Sequence, residues 1–530
     1  MSGIGNTFQV VSLSNCFVIG NEGNSDSYGG IMKLDQELVQ LEKRRGGVGT
    51  DLSFVRPAGS PVKNSAITST GVVPFMERFS RSTKEVAQDG RRGALMESIS
   101  IKHPDSEKFI DAKLLAGTVT GANISVKLDN EFMRAAMADK TYVQQFPIDS
   151  NTPSFVQEID ARKLWKKIIY NAWKSAEPGI LFWDTIIEES VPDCYADQGY
   201  KTISTNINLF GYVKNPFYRN DPIAEDSFFD WRLFKKDVQI AQRYMDDIID
   251  LEIEKINAII DKIDTDPEPE SLKRVERELW ERIRDKTING RRTGLGVTGE
   301  GDMLAALGLT YGTEEATDFS EEVHKTLKLN AYRSSTIMAR ERGAFPVFDV
   351  KKEANNPFIL RIKEEDPDLY DSMAQYGRRN IALLTIAPTG TSSIMTQTTS
   401  GIEPAFLIFY MRRRKITPQE KDARIDFVDE EGISWQEYPV FHHKFEMWLD
   451  RNGYDIEEVK EMRADELTGI IEKSPYYKAT TADVDWVKKV EMQGRVQKHV
   501  DHSISVCMKQ GGNLDVRELL YIVTDPGVVC

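Results

Sequence analysis

The stretch Ile381 to Pro404, IALLTIAPTGTSSIMTQTTSGIEP, constrains this chain more than any other. A mostly apolar run, Ile381 to Ala387, passes without a break into Pro388-Thr389-Gly390-Thr391-Ser392-Ser393. A short apolar run bounded by turn formers marks a strand covered on both faces, so a buried strand is predicted. The glycine in the following run lets backbone come close to a ligand. Hydroxyls and free N–H groups at a helix start can bind phosphate. The segment therefore reads as a strand opening into an anion cradle, and the residues alone equally allow a polar loop without a ligand.

The rest of the chain bounds what such a cradle could serve. Its 530 residues are 40% hydrophobic and 28% charged, an ordinary globular composition with ample material for a core. The length fits several domains or one large α/β barrel. A net charge of −15 argues against a general nucleic-acid surface, so an anionic ligand must be met by local groups. No run approaches the roughly eighteen apolar residues of a membrane span, and the start lacks a basic region with an apolar core. No membrane or nucleic-acid partner is expected, and the location expected is cytoplasmic. Cys16, Cys194, Cys507 and Cys530 are too few and scattered for a disulfide framework, so any pairing among them would be reversible redox chemistry.

Helical and strand-like patterns alternate along the chain. Strands are predicted within Phe8 to Ile19, over Ala94 to Ile101, over Ala122 to Leu128 and at Gly179 in GILFWD. Helices are predicted over Val73 to Ala87, from Pro104-Asp105 onward, over Lys163 to Ala176, and over Phe234 to Ile263 with Val238, Met245, Ile249, Ile256 and Ile263 on one face. Further helices follow over Glu270 to Lys286, whose charges read as a solvated face, over Glu321 to Arg342, and over Leu369 to Tyr376. This alternation argues for an α/β protein with one large sheet or barrel.

Several familiar chemistries lack their parts. Gly294-Leu295-Gly296-Val297-Thr298-Gly299 spells a dinucleotide fingerprint, but ERIRDKTINGRR precedes it where a buried strand is required, so a loop packed on the next helix is expected. Gly46-Gly47-Val48-Gly49 after a basic cluster fits a phosphate-holding turn or a solvated glycine turn. His499 and His502 read as a half-buried strand with one solvated histidine, and the adjacent His442 and His443 diverge, so no metal site is predicted. No P-loop and no GxSxG elbow is present.

SLSNCFVI, KRRGGVGTDLSFVRPAGSPV, GRRGALM, ANISV, GRRTGLGVTGEGDMLAALGL, YGRRNIALLTIAPTGTSS, TQTTSGIEP and RRRK occur in one order. Together they resemble the catalytic (large) chain of ribonucleotide reductase, most nearly its adenosylcobalamin-dependent, class II form. The resemblance implies a ten-stranded α/β barrel surrounded by helices, threaded by a finger loop. It covers residues 1–506 as the barrel domain, with 507–530 as a tail that does not match. It also implies reduction of ribonucleotides to 2′-deoxyribonucleotides, in which a cysteine thiyl radical abstracts the 3′-hydrogen and a cysteine pair supplies electrons. The radical comes from a cofactor; adenosylcobalamin is the one implied, with a diiron partner chain as the alternative.

By the same resemblance Pro388, Thr389, Gly390, Thr391 and Ser392 hold the substrate phosphates. Asn15, Cys16 and Gly47 line the substrate side, with Cys16 as one member of the redox pair. Asp26, Arg56 and Lys63 bind a deoxynucleotide effector at a homodimer contact, although Lys63 stands where an arginine is common and cannot give a bidentate phosphate contact. A thioredoxin-type or other dithiol completes the expected partners.

Three departures qualify the resemblance. Thr205-Asn206 runs directly into Ile207-Asn208-Leu209, where the family inserts the finger loop with its radical cysteine, a glutamate and the partner of Cys16. The N-terminal helical region is absent, and the sequence after Val506 does not fit. The expectation is a reductase chain inactive alone, as one piece of a split, spliced or truncated product. A non-catalytic nucleotide-binding or dimer-forming relative is the alternative, and an unrelated α/β barrel acting on phosphorylated metabolites leaves the ordered motifs unexplained.

Overall fold

The computed structural model describes residues 10–14, 16–20, 26–63, 66–86, 93–114, 117–203, 211–213, 218–219, 228–416, 424–428, 433–462 and 464–505. Asn15, the junction at 206–207, and Cys507 and Cys530 with the rest of the expected tail lie outside them.

Five short strands form a parallel sheet in chain order: β1 (Cys16–Val18), β2 (Gly47–Asp51), β3 (Leu95–Ser100), β4 (Ala122–Leu128) and, beyond an antiparallel hairpin of β5 (Thr141–Phe146) and β6 (Phe155–Asp160), β7 (Gly179–Phe182). Parallel neighbours need crossovers, and helices Tyr28–Glu42, Val73–Glu85, Ser106–Asp111 and Ala161–Ser175 lie in the connections. Leu95 and Ile99 of β3 and Ile124 and Val126 of β4 enter a core with Phe79, Phe109 and Trp165 from those helices. Because side chains alternate along a strand, the opposite face carries Asp51, Met96, Ser98, Ser125 and Lys127. The first sheet is thus mostly apolar toward its helices, with Thr50 and Glu97 buried on that side, and polar on the other.

A second parallel set is built from β8 (Gly211–Val213) and β11 (Leu295–Val297), with a short antiparallel pair, β9 (Tyr218–Arg219) and β10 (Phe228–Phe229), between them in the chain. β11 bridges to Leu384, and Ile386 bridges to Ile504, both in parallel. The run Ile381 to Ala387 is therefore buried between two neighbours as predicted, but joined to them by isolated bridges at Leu384 and Ile386 rather than by a continuous ladder. Leu295 N donates to Leu383 O at 2.7 Å on one side, and Ser505 N to Ile386 O at 3.0 Å on the other.

Helix Trp231–Thr265 joins the two halves. Its first turns place Phe234, Val238 and Met245 in the second core, while Ile256, Ile259 and Ile263 belong to the first. An outer layer of β12 (Phe409–Lys415), β13 (Phe427–Val428) and β14 (Ser434–Phe441), in the order β12-β14-β13, packs on a third core of Phe441, Phe445, Trp448 and Tyr476. No helix among the described residues is long and apolar enough to cross a membrane.

Within Phe8 to Ile19, Cys16 lies inside a strand, Cys16–Val18, as expected. Four other local expectations are corrected. Gly47 and Gly49 lie in β2 rather than in a phosphate-holding turn, and the basic residues before them are already engaged, since Lys43 and Arg44 both bind Glu276, at 2.7 and 3.1 Å. That pair also removes Glu276 from the solvated face assigned to its helix. The expected loop at Gly294 to Gly299 contains β11, and neither histidine is solvated, since His499 is buried and His502 is half-buried with its Nε2 enclosed.

Burial also leaves a titration signature. Glu42, at the end of Tyr28–Glu42 against Thr83, has its carboxyl pushed up to about 8 by desolvation. With the folded value above the unfolded one, its contribution is fully present below the unfolded value and is lost as pH rises through about 8. Glu42→Gln is expected to stabilise the protein at pH 9 and to leave it nearly unchanged at pH 4, as read by urea unfolding at the two pH values.

Candidate nucleotide site

The cradle forms where the buried strand ends. Thr389 adopts a left-handed conformation with φ 47°, and its hydroxyl turns away from the helix Gly390–Thr396 that it precedes. Thr389 Oγ1 instead accepts from Gly401 N at 2.7 Å and lies 3.0 Å from Thr298 Oγ1. Ser393 is buried, with Oγ bonded to Gly390 O and Ser400 Oγ at 2.9 and 2.7 Å. These two hydroxyls shape the loop. Pro388, Gly390 and Thr391 are exposed and Ser392 is half-buried. Among the described residues, no protein group bonds the hydroxyls of Thr391 and Ser392 or the N–H groups of Gly390, Thr391 and Ser392. The hydroxyl run is thus divided into a scaffold and an open set of donors, a division that its sequence does not mark.

Of the other predicted substrate-side residues, Cys16 and Gly47 sit on the first sheet. The β1–β2 register sets Cys16 beside Gly47. Farther along the polar face, Lys127 Nζ lies 3.0 Å from Asp51 Oδ1 and 3.9 Å from the centre of the Trp183 ring, and it also donates to Ile203 O. Ser53 and Ser98 donate to the same Asp51 oxygen at 2.9 and 3.3 Å. Burial lowers the Lys127 ammonium from its ordinary value, and the adjacent Asp51 opposes the shift. Sequence reasoning missed this cluster. Its trace is the polar alternation in ALMESIS and ANISVKL.

Two of the expected effector residues meet. Arg56 Nε donates to Asp26 Oδ2 at 2.7 Å and Arg56 N to Asp26 Oδ1 at 2.9 Å. Arg56 Nη1 reaches Pro61 O at 2.7 Å, bracing the loop on which Lys63 stands. Lys63 is exposed and has no ion-pair partner among the described residues.

Two further groups can be set aside. Asp246, Asp247 and Asp250 come close enough to hold a cation, but Arg291 lies 2.8 Å from Asp246 and 2.7 Å from Asp250, Arg379 3.2 Å from Asp246, and Arg342 2.6 Å from Asp247. Guanidinium groups already supply the positive charge. Cys194 packs beside Phe345 and Ile381, and burial pushes its thiol up to about 11. It is a core group rather than a ready thiolate.

The family model described as "Ribonucleotide reductase, barrel domain" matches residues 14–196 and 204–523. The chain is 29% identical over 414 residues to a vitamin B12-dependent ribonucleoside-diphosphate reductase of Mycobacterium tuberculosis, covering 76% of this chain and 51% of that protein. It is also 29% identical over 415 residues to the protein so named from Thermoplasma acidophilum, covering 76% of this chain and 46% of that one. The chain thus spans about half the length of these curated relatives. Its fold is similar to that of an Actinobacillus ureae class Id ribonucleotide reductase alpha subunit, with a TM-score of 0.63 and 18% identity over 98% of this chain and 83% of the other.

Proposed function

Because the chain belongs to the ribonucleotide reductase barrel-domain family, we propose that it is the nucleotide-binding barrel of a ribonucleoside-diphosphate reductase, unable to turn over alone. The observation that carries this reading is the open donor set at Gly390, Thr391 and Ser392, held at the end of a buried strand by the inward hydroxyls of Thr389 and Ser393. Such donors suit the phosphates of a ribonucleotide. Cys16 supplies one thiol of the reducing pair. In the full reaction two thiols become a disulfide as the 2′-hydroxyl leaves as water, after a thiyl radical has taken the 3′-hydrogen.

Before residue 507 the sequence contains only Cys16 and Cys194. With Cys194 packed in the core, neither a radical thiol nor a second member of the pair is supplied from that part of the chain. This favours the second reading, a non-catalytic nucleotide-binding relative or a fragment of a split reductase. The deoxynucleotide effector is assigned to Asp26, Arg56 and Lys63 at a homodimer contact, the reductant is a thioredoxin-type dithiol, and the location is the cytoplasm.

The names of the relatives suggest adenosylcobalamin. Among the described residues, no histidine is presented to a cobalt ion from an open pocket: His103, His324 and His499 are buried, the Nε2 of half-buried His502 is enclosed, His442 is bonded to Asp302, and His443 is exposed at the start of a helix. The donor set does not fit a protein-ligated corrin, and the chemistry assigned to this chain is confined to binding and to the Cys16 thiol.

The test is calorimetry with a ribonucleoside diphosphate, followed by product analysis with adenosylcobalamin and dithiothreitol. Thr391→Val with Ser392→Ala is expected to weaken diphosphate binding about tenfold, the loss of roughly one to two hydrogen bonds, without shifting thermal unfolding. No deoxynucleotide is expected until a relative's finger-loop segment is inserted between Asn206 and Ile207. A wild-type chain that binds no ribonucleotide overturns the proposal; effector binding with no product after the insertion selects the non-catalytic relative.

A further inference from the structure

Asp302 is a buried carboxylate outside the cradle, and it lies in the helix Glu300–Ala306, all of whose residues are buried. A charge in that position must be met by donors. Three converge on it: Oδ1 accepts from His442 Nε2 at 2.7 Å and from Tyr476 OH at 2.8 Å, and Oδ2 accepts from Thr399 N at 2.8 Å. Because the carboxylate is the acceptor, His442 Nε2 carries the proton in this bond. Thr399 answers with its own hydroxyl, accepting from Asp302 N at 3.3 Å.

The bonds continue from Thr399 into the cradle. Thr399 O accepts from Gly299 N at 3.0 Å and from Thr298 Oγ1 at 3.1 Å. Thr298 Oγ1 touches Thr389 Oγ1, which accepts from Gly401 N. The return segment 398–401 is therefore clamped at Thr399 by Asp302 and feeds the one backbone donor that turns the Thr389 hydroxyl inward.

The other two donors to Asp302 come from the outer layer. His442 directly follows β14, and its ring stands 5.7 Å from that of Tyr476, which belongs to the third core with Phe441 and Phe445. Ala305, three residues beyond Asp302, is buried in that same core. One short helix thus faces the outer layer and the cradle at once.

We propose that Asp302 is a positioning residue through which His442 and Tyr476 of the outer layer set the 398–401 segment and, with it, the nucleotide cradle at Pro388 to Ser392. The role rests on the reading of that cradle as a phosphate site and adds to it a mechanical link to residues 434–476. A plain docking contact between layers would use the same bonds, but it would not require Asp302 to hold Thr399 N as well.

The test uses the full chain with His442→Phe, which keeps a ring against Tyr476 and removes the N–H, and His442→Gln, whose amide nitrogen replaces it. Hydrogen exchange of peptides spanning 389–401 is measured by mass spectrometry, alongside ADP affinity by calorimetry. His442→Phe is expected to speed exchange in 389–401 about tenfold and to weaken ADP about tenfold, with exchange in the first sheet unchanged, and His442→Gln to restore both. Unchanged exchange at 389–401 overturns the proposal, as does an equal rise throughout the outer layer and the loop that His442→Gln does not reverse. If the wild-type chain binds no ADP while the loop still responds selectively, positioning is supported and the nucleotide reading is what fails. Should His442→Phe not fold, Tyr476→Phe removes the second donor to the same oxygen and is read in the same way.

Discussion

Glu353→Ala is expected to cost about 3–5 kcal/mol of folding stability, the range for removing one partner of a buried ion pair. Glu353 and Arg378 have side-chain exposures of 2% and 0%, and they meet through two bonds of 2.5 and 2.7 Å. The truncated site would keep a guanidinium with no counter-charge and no water. Arg378 also donates to Asn380 O and Ile381 O, both at 3.0 Å, and Tyr195 OH donates to Glu353 Oε1. The pair therefore aligns the chain just before it enters the strand that carries the cradle, and disorder there should spread to Pro388. Urea unfolding of Glu353→Ala measures the loss. The double variant Glu353→Leu, Arg378→Met should recover most of it, because apolar replacement of a whole buried pair is often neutral or stabilising. A loss below about 1 kcal/mol, the range of solvent-exposed pairs, would mean that water reaches the site.

Gly296→Ala is expected to be the second most damaging single change. A Cβ at Gly296 would stand 2.2 Å from Thr385 O, a backbone atom of the neighbouring strand. Neither side can yield by rotating a side chain, so the ladder must open where Leu295 N donates to Leu383 O and Thr385 N to Leu295 O, at 2.7 and 3.0 Å. Overpacking a well-packed site costs about 1–3 kcal/mol, and this clash between two backbones belongs at the upper end or beyond. Gly390→Ala is the control, since nothing lies within 4 Å of a Cβ there. Thermal unfolding should fall for Gly296→Ala and hold for Gly390→Ala. Equal midpoints would show that β11 does not press on residues 384–386 this closely.

The elements legible in the sequence were those whose signal is local. Ala122–Leu128 was predicted to the residue, and the helix over Phe234 to Ile263 only lengthened to Trp231–Thr265, because its apolar period is set by its own burial. The strand into Pro388 was legible for the same reason. Where the reading failed, a distant partner had overruled the local pattern. Glycines at 294–299 looked like a loop because nothing nearby in the chain announces a strand pressed against Thr385. The helix over Glu270 to Lys286 looked solvated on its charged face because Arg44, 232 residues earlier, supplies the counter-charge that buries Glu276.

The site divides along the same line. Residue order alone determined that an apolar strand ends in a run of small hydroxyls, that Cys16 lies inside a strand, and that cysteines are scarce, since each is a statement about neighbours in the chain. Tertiary structure decided which hydroxyls face inward, that Arg56 meets Asp26, and that Asp302 is held by residues 140 and 174 positions away. A buried carboxylate is tolerable only when donors surround it, and the fold brings those donors from parts of the chain whose sequences carry no mark of one another.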